Sequence, residues 1–503
     1  MPSKENIEAS RSLIGKLASG ALWVITGMFI ARVFGYAIRA AIAHFYGVEM
    51  YGFINTAQSL MMIFAMLALA GLNTGLPRQI SFYKAQKQDK KLKQYIASGL
   101  KLGIIFSIVM GSIYYLSSDY LSSRVFNTPE LEIYFKIFSF TVPLYVLFEL
   151  NTSVFKGLKQ MSQFTLFHEI LRFGFIFILL IGASICRRSF TLTSSAYPVS
   201  FFLIDIITFY IIIKHLKLGR MNSYRWTPID KDLLSFSIPL LFSGIFWMLL
   251  ARTDTILIGA YLNQKYVGLY NAAVPIGQLI LMVRQAFSPI ILPLFTELVS
   301  KKDRKNLLLM YYIVAKWTTI LSLPIFISML ILPKFFIWIV FGRQFLPSAS
   351  VLQIVIIGFF IHTIMGPTSN LIVILGKTRL AMINSMIAVI ISVGLNIILI
   401  PRFQLTGAAI SSVASYLTFN LLGFFQVYRL LKVQPFRPLH LKYLLASLLP
   451  VPILLNSPII NSDLIPLLLY SIAYIGLLII FKSFKTEDKV VLEAIIGRIR
   501  GKS

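Results

Sequence analysis

Residues 52–57 read GFINTA, and 216 positions later residues 268–273 read GLYNAA. At the same offset Met66 meets Met282, Ala70 meets Ala286, Leu76-Pro77 meets Leu292-Pro293, and Tyr95 meets Tyr311. The shared Gly-x-x-Asn-x-Ala and the paired Leu-Pro mark an internal repeat. Working outward from the two copies, apolar stretches occur at about 20–43, 53–76, 95–117, 131–155, 162–185, 197–213, 234–258, 268–292, 307–332, 348–372, 380–400, 407–428, 443–460 and 465–481. Each is close to the ~20 helical residues a bilayer requires. Six spans separate the copies, and an even number preserves orientation, so the halves are expected to be parallel repeats about an axis along the membrane normal.

The expected fold is an all-α polytopic membrane protein of about 14 transmembrane helices, in two parallel six-helix lobes plus two C-terminal helices. The boundaries follow: a cytoplasmic amphipathic segment at 1–19, an N-terminal lobe at 20–213, a basic cytoplasmic linker at 214–233, a C-terminal lobe at 234–428, two further spans within 429–481, and a basic tail at 482–503. Of 503 residues, 57% are hydrophobic and only 13% charged, where a soluble domain carries roughly a quarter. That composition excludes a disordered chain, a soluble enzyme and a nucleic-acid binder.

The net charge of +28 is explained by where the charge lies. With the N-terminus inside, 32 of the 47 Lys and Arg fall in inner segments, 7 in outer connectors and 8 within spans. This is the positive-inside pattern, and it predicts a multi-pass protein of the cytoplasmic membrane with both termini cytoplasmic, the basic segments touching anionic lipid headgroups. Short outer connectors leave no room for an external catalytic domain. Leu371 stands where a phosphate-binding loop ending in Gly376-Lys377-Thr378 needs glycine, and Arg172 stands where a zinc motif starting at His168-Glu169 needs a second histidine. Neither motif is complete, so no enzyme, cofactor or metal site is expected. The single cysteine, Cys186, forms no internal disulfide.

A mid-span Arg or Lys costs roughly 2.5–3.5 kcal/mol on insertion scales. Lys101, Lys136 and Lys316 lie near span ends, where their stems can snorkel to the headgroups. Arg32 and Arg39, seven residues apart, share one face of span 1, which carries no acid. Arg252 and Arg284 sit deep in spans 7 and 8. These four are expected to face water, a carboxylate or a bound anion, the candidate intramembrane acids being Glu149, Glu169, Asp205 and Asp254. Polar side chains extend the same chamber: Asn55 on span 2, and Asn271 and Gln278 at seven-residue spacing on span 8. Glu169 and Arg172, three apart, have the spacing of a local structural ion pair. A cationic chamber between two lobes implies an anionic cargo.

Three stretches carry a family resemblance: YGVEMYGFINTA at 46–57, DTILIGAYLNQKYVGLYNAA at 254–273 and LIPRFQLTGAAISSV at 399–413. They resemble the Wzx-type polysaccharide-transporter flippases of the MOP superfamily, relatives of the MATE exporters and lipid II flippases. The sequence departs from that pattern at His44, where arginine is frequent, and at Gln404, where glycine is usual. The resemblance implies a carrier that moves a polyprenyl-phosphate-linked oligosaccharide from the inner to the outer leaflet by alternating access, for cell-surface glycan assembly. It further implies Arg32, Arg39, Arg252 and Arg284 as phosphate or sugar-acid contacts and Asp254 as a coupling or gating group. Its partners would be the lipid-linked sugar, membrane lipids and glycan-assembly enzymes, with a monomer as the working unit. The alternatives are a MATE-like ion-coupled multidrug exporter, which should show an acidic cavity, and a membrane glycosyltransferase or polymerase, which should show acidic catalytic residues.

Overall fold

A computed structural model describes residues 4–186, 189–215, 231–365, 368–432, 440–455 and 465–483. Among them every regular element is helical, with no strand. Long apolar runs in a bilayer can satisfy their backbone only within the segment, and the helix does this. Contacts divide the chain into two compact units, Leu22–Leu269 and Tyr270–Ser503, the latter grouped with Met1–Ala21.

The first unit contains most of α1 (Lys4–Leu69), then α2 (Leu72–Ala85), α3 (Asp89–Tyr120), α4 (Leu131–Gly157) and α5 (Met161–Thr165). A π-helical turn at Leu166–Leu171 leads into α6 (Arg172–Ile185), followed by α7 (Phe190–Ser194), α8 (Ala196–His215) and α9 (Lys231–Tyr261). The division falls inside α10 (Gln264–Gln278). Expected spans 1 and 2 form one continuous element broken at Gly47, whose φ of 81° turns the chain between them; glycine enters that region without steric penalty. The helices approach closely where side chains are small. A Cβ on Gly103 would overlap Leu150, and one on Gly111 would lie 3.1 Å from the Ser139 carbonyl. Buried Tyr114 donates its hydroxyl to the Ala57 carbonyl at 3.1 Å, tying α3 to α1.

The second unit runs through α11 (Leu281–Ser300), α12 (Arg304–Ile331), α13 (Pro333–Phe341), α14 (Ala349–Ile364), α15 (Thr368–Ile374) and α16 (Thr378–Leu431). It ends with α17 (His440–Leu448), α18 (Val451–Leu455) and α19 (Ile465–Ile480). Expected span 8 is a pair, α10 and α11, bent by 46° at the break between them. Expected spans 11 and 12 are merged in α16 around an elbow at Gln404, which takes φ 51° and ψ −129°. One apolar core joins Phe295, Tyr311, Leu371 and Val427 from α11, α12, α15 and α16. The C-terminal helices pack on α12, with Tyr474 donating to the Ile320 carbonyl at 2.9 Å.

Two expectations for intramembrane charges need correction. Lys316 does not snorkel: it is 2% exposed and donates to the Ser483 carbonyl at 2.8 Å. The stem is long enough to reach a backbone acceptor inside the protein, which removes the need for the headgroups. Glu169 and Arg172 do not form an ion pair either. The π turn between Leu166 and Leu171 replaces i→i+4 bonding with i→i+5, so the spacing of three no longer brings the two side chains onto one face.

Candidate functional site

Within the first unit, α1, α4, α6, α8 and α9 enclose a cavity of about 200 Å³. Three guanidinium side chains reach its lining from three helices: Arg39 from α1, Arg172 from α6 and Arg252 from α9. No Asp or Glu is among the lining residues. The polar remainder comes from Asn55, Gln58, Tyr51, Tyr145 and Tyr197, and Met61, Met62 and Phe173 supply apolar wall.

Each guanidinium carries five donors, and Arg39 bonds to the Tyr51 side chain. Arg39 gives Nη1 to the Gly35 carbonyl at 3.2 Å and lies 5.8 Å from the Tyr36 ring centre. Gly35 serves this directly, because the space beside its Cα holds the Arg39 side chain. Arg252 places Nη2 at 3.0 Å from the Met62 sulfur, a weak acceptor. Arg172 stacks over Phe173 at 4.5 Å and over Phe148 at 5.6 Å, and its buried Nε has no hydrogen-bond partner among the described residues. None of the three makes an ion pair among the described residues. Asn55, also in the lining, donates to the Tyr51 carbonyl at 2.7 Å. An oxyanion entering this space would meet several charge-assisted donors, roughly twice as strong as neutral ones.

Of the residues expected from sequence, Arg39, Arg252 and Asn55 are therefore brought together. Arg32 is half-buried on α1 but does not line the cavity; its field falls on Glu169. Asp254 is buried, 7% exposed, two residues beyond Arg252 and outside the lining. Asn271, Gln278 and Arg284 belong to the second unit. There Arg284 is half-buried within electrostatic reach of His362 and Tyr416, and His362 Nδ1 lies 3.0 Å from the Asn420 amide oxygen. Among the described residues no cluster of three or more His, Cys, Asp or Glu has the arrangement of a metal site.

Sequence reasoning missed Arg172 as a cavity group, together with Tyr145 and Tyr197. For Arg172 the signal was present: a cation at mid-span whose assumed partner, Glu169, could instead be taken by the adjacent His168. For the two tyrosines no signal existed, since tyrosine is common throughout a helix-rich apolar chain.

A family model described as polysaccharide biosynthesis protein matches residues 17–299. The chain is 21% identical over 486 residues to an uncharacterized membrane protein of Methanocaldococcus jannaschii, covering 92% of this chain and 94% of that protein. It is 23% identical over 400 residues to a protein of Haloferax volcanii named "Probable low-salt glycan biosynthesis flippase Agl15", covering 77% and 79% of the two chains. Among solved structures, the lipid II flippase MurJ in an inward closed conformation superposes with a TM-score of 0.72 at 16% identity, covering 92% of this chain and 99% of that one. That likeness establishes a shared all-helical fold.

Proposed function

Since the chain belongs to the polysaccharide biosynthesis protein family, we propose that it is a membrane flippase carrying a polyprenyl-phosphate-linked oligosaccharide from the inner to the outer leaflet, for assembly of a surface glycan. One observation carries this reading: three guanidiniums from three helices and no carboxylate line a cavity among apolar helices. A buried cation left without a partner destabilises a fold by about 3–5 kcal/mol, so three of them converging imply an anionic occupant. A phosphate or pyrophosphate headgroup supplies that charge in the space the cavity offers, and the lipid and sugar extend from it.

In this reading Arg39, Arg172 and Arg252 hold the phosphate, and Asn55 and the tyrosines orient it. The chain acts as a carrier rather than a catalyst, in the cytoplasmic membrane with cytoplasmic termini, receiving cargo from glycan-assembly enzymes on the inner face. The name of the Haloferax relative and the fold shared with the lipid II flippase support the same cargo class. An exporter of cationic drugs would need carboxylates where these arginines stand, which sets that alternative lower.

The test is reconstitution of the full chain in liposomes with a fluorescent polyprenyl-diphosphate disaccharide, scored by protection of the label from an added quencher. Transbilayer movement that depends on the protein and is lost in Arg252→Gln supports the proposal. Movement equal to that of protein-free liposomes defeats it.

A further inference from the structure

His168 stands between two carboxylates. Its Nδ1 lies 2.9 Å from Glu169 Oε1 and its Nε2 lies 3.3 Å from Glu149 Oε1, in a cluster that is largely shielded from solvent. The cluster sits on the π turn at Leu166–Leu171, with one ring nitrogen beside the carboxylate of the adjacent Glu169 and the other facing Glu149 of α4. The ring is clamped by Phe164 at 4.8 Å and Phe148 at 5.5 Å, both nearly parallel to it.

Counting protons gives this geometry its meaning. Each N···O contact needs one proton between nitrogen and oxygen, and an ionised carboxylate brings none. A neutral imidazole brings one and leaves its other lone pair facing a carboxylate lone pair. With both carboxylates ionised, both contacts are satisfied only when the ring holds two protons, which makes the cluster an imidazolium between two carboxylates with a net charge of −1. Release of the second proton to water leaves a net charge of −2 and one broken contact.

The cluster adjoins the cavity through Phe148. His168 stacks on that ring, and the Arg172 guanidinium lies 5.6 Å from its centre while also lining the cavity. We propose that Glu149, His168 and Glu169 form a proton-binding site whose occupancy sets how strongly Arg172 is available to an anion in the cavity. With the proton bound, the cluster makes the weaker claim on Arg172, and the anion is held more tightly. With the proton released, the dianionic cluster draws Arg172 away and the anion is held less tightly. Proton and anion therefore bind cooperatively, and by linkage anion binding draws a proton in.

The other groups facing the cluster are compatible with this sign. Arg32 of α1 lies within electrostatic reach of Glu169, and Tyr145 of α4 bonds to Glu149. Lys156 lies over the far ring Phe164 at 5.8 Å. Asp205 of α8 is engaged by the Asn151 amide at 3.1 Å.

This inference deepens the proposed function and rests on it only for the identity of the anion. The experiment uses the full chain in nanodiscs. Its probe is a polyprenyl phosphate bearing one sugar, a phosphodiester whose single charge does not titrate between pH 6 and 9. Wild type should lose affinity at least about fivefold from pH 6 to pH 9, within the usual range of a coupling, and His168→Gln should be flat. Wild-type affinity independent of pH, or the same pH dependence in His168→Gln, overturns the coupling. Separately, 15N-histidine NMR of ligand-free protein, with the His168 signal assigned by its absence in His168→Gln, should show a doubly protonated ring at pH 6 that loses a proton by pH 9. A singly protonated ring across that range overturns the site. Failure of the probe to bind at either pH counts against the cargo assignment, and the NMR titration then decides the proton site alone.

Discussion

Gly52 and Gly268 pack reciprocally: a Cβ on Gly52 would overlap the carbonyl oxygen of Gln264, and a Cβ on Gly268 would overlap that of Val48. Each glycine thus abuts the residue four positions before the other. These are the leading glycines of the two repeat copies, and the relation is that of a two-fold contact, in which residue i meets j as j meets i. Thr56 strengthens it, donating to the Gln264 side-chain oxygen at 2.6 Å.

Adding a methyl group at either glycine forces two backbones apart. Gly52→Ala and Gly268→Ala should each destabilise the protein by about 1–3 kcal/mol, the usual effect of overpacking. The measurement is a lower thermal midpoint in detergent. Gly174→Ala is the control: a Cβ there meets nothing within 4 Å, and the midpoint should not fall.

At the α16 elbow the sign reverses. Gln404 occupies φ 51° and ψ −129°, a region that is strained for a residue with a side chain by about 1–3 kcal/mol. Nearby Gly407 is held with its Cα against the Leu399 carbonyl, so the elbow cannot relax freely. Gln404→Gly should raise the thermal midpoint, because it restores glycine where the backbone needs it. An unchanged or lower midpoint would refute the strain.

The three cavity arginines should divide from the fourth on α1. Arg172→Gln and Arg252→Gln remove donors from the anion and should each weaken binding of a polyprenyl phosphate by roughly tenfold or more, since a hydrogen bond to a charged group is worth about 1.5–3 kcal/mol. Arg32→Gln, which lies outside the lining, should cause a smaller loss. Equal losses at Arg32 and Arg252 would place the anion elsewhere on α1.

Lys316 holds the end of the described C-terminal segment through the Ser483 carbonyl. Lys316→Met should leave that acceptor unpaired in a buried setting, at about 1–3 kcal/mol, and expose the chain near Ser483 to protease sooner than in wild type. Cleavage at the wild-type rate would show that α17 and α19 are held by their apolar packing alone.

The helical class and the apolar, membrane-spanning character were legible in the chain, because hydropathy over ~20 residues is a local quantity. Gln404 stood out in the chain only as a residue where glycine is usual, and its φ of 51° is a fact of the structure. Arg39 and Arg252 were equally plain as cations within spans, but the burial of Lys316 was not. Which cations converge was not plain: Arg39 and Arg252 are more than two hundred residues apart, and Arg32 shares a helix face with Arg39 yet misses the cavity. Arg172 was legible only as half of a pair that a single π turn dissolved, handing Glu169 to His168. Residue types and their depth follow from the sequence because the bilayer sorts side chains by polarity. Their meeting in one chamber is decided by helix phase and packing, which one inserted residue or one glycine contact can turn.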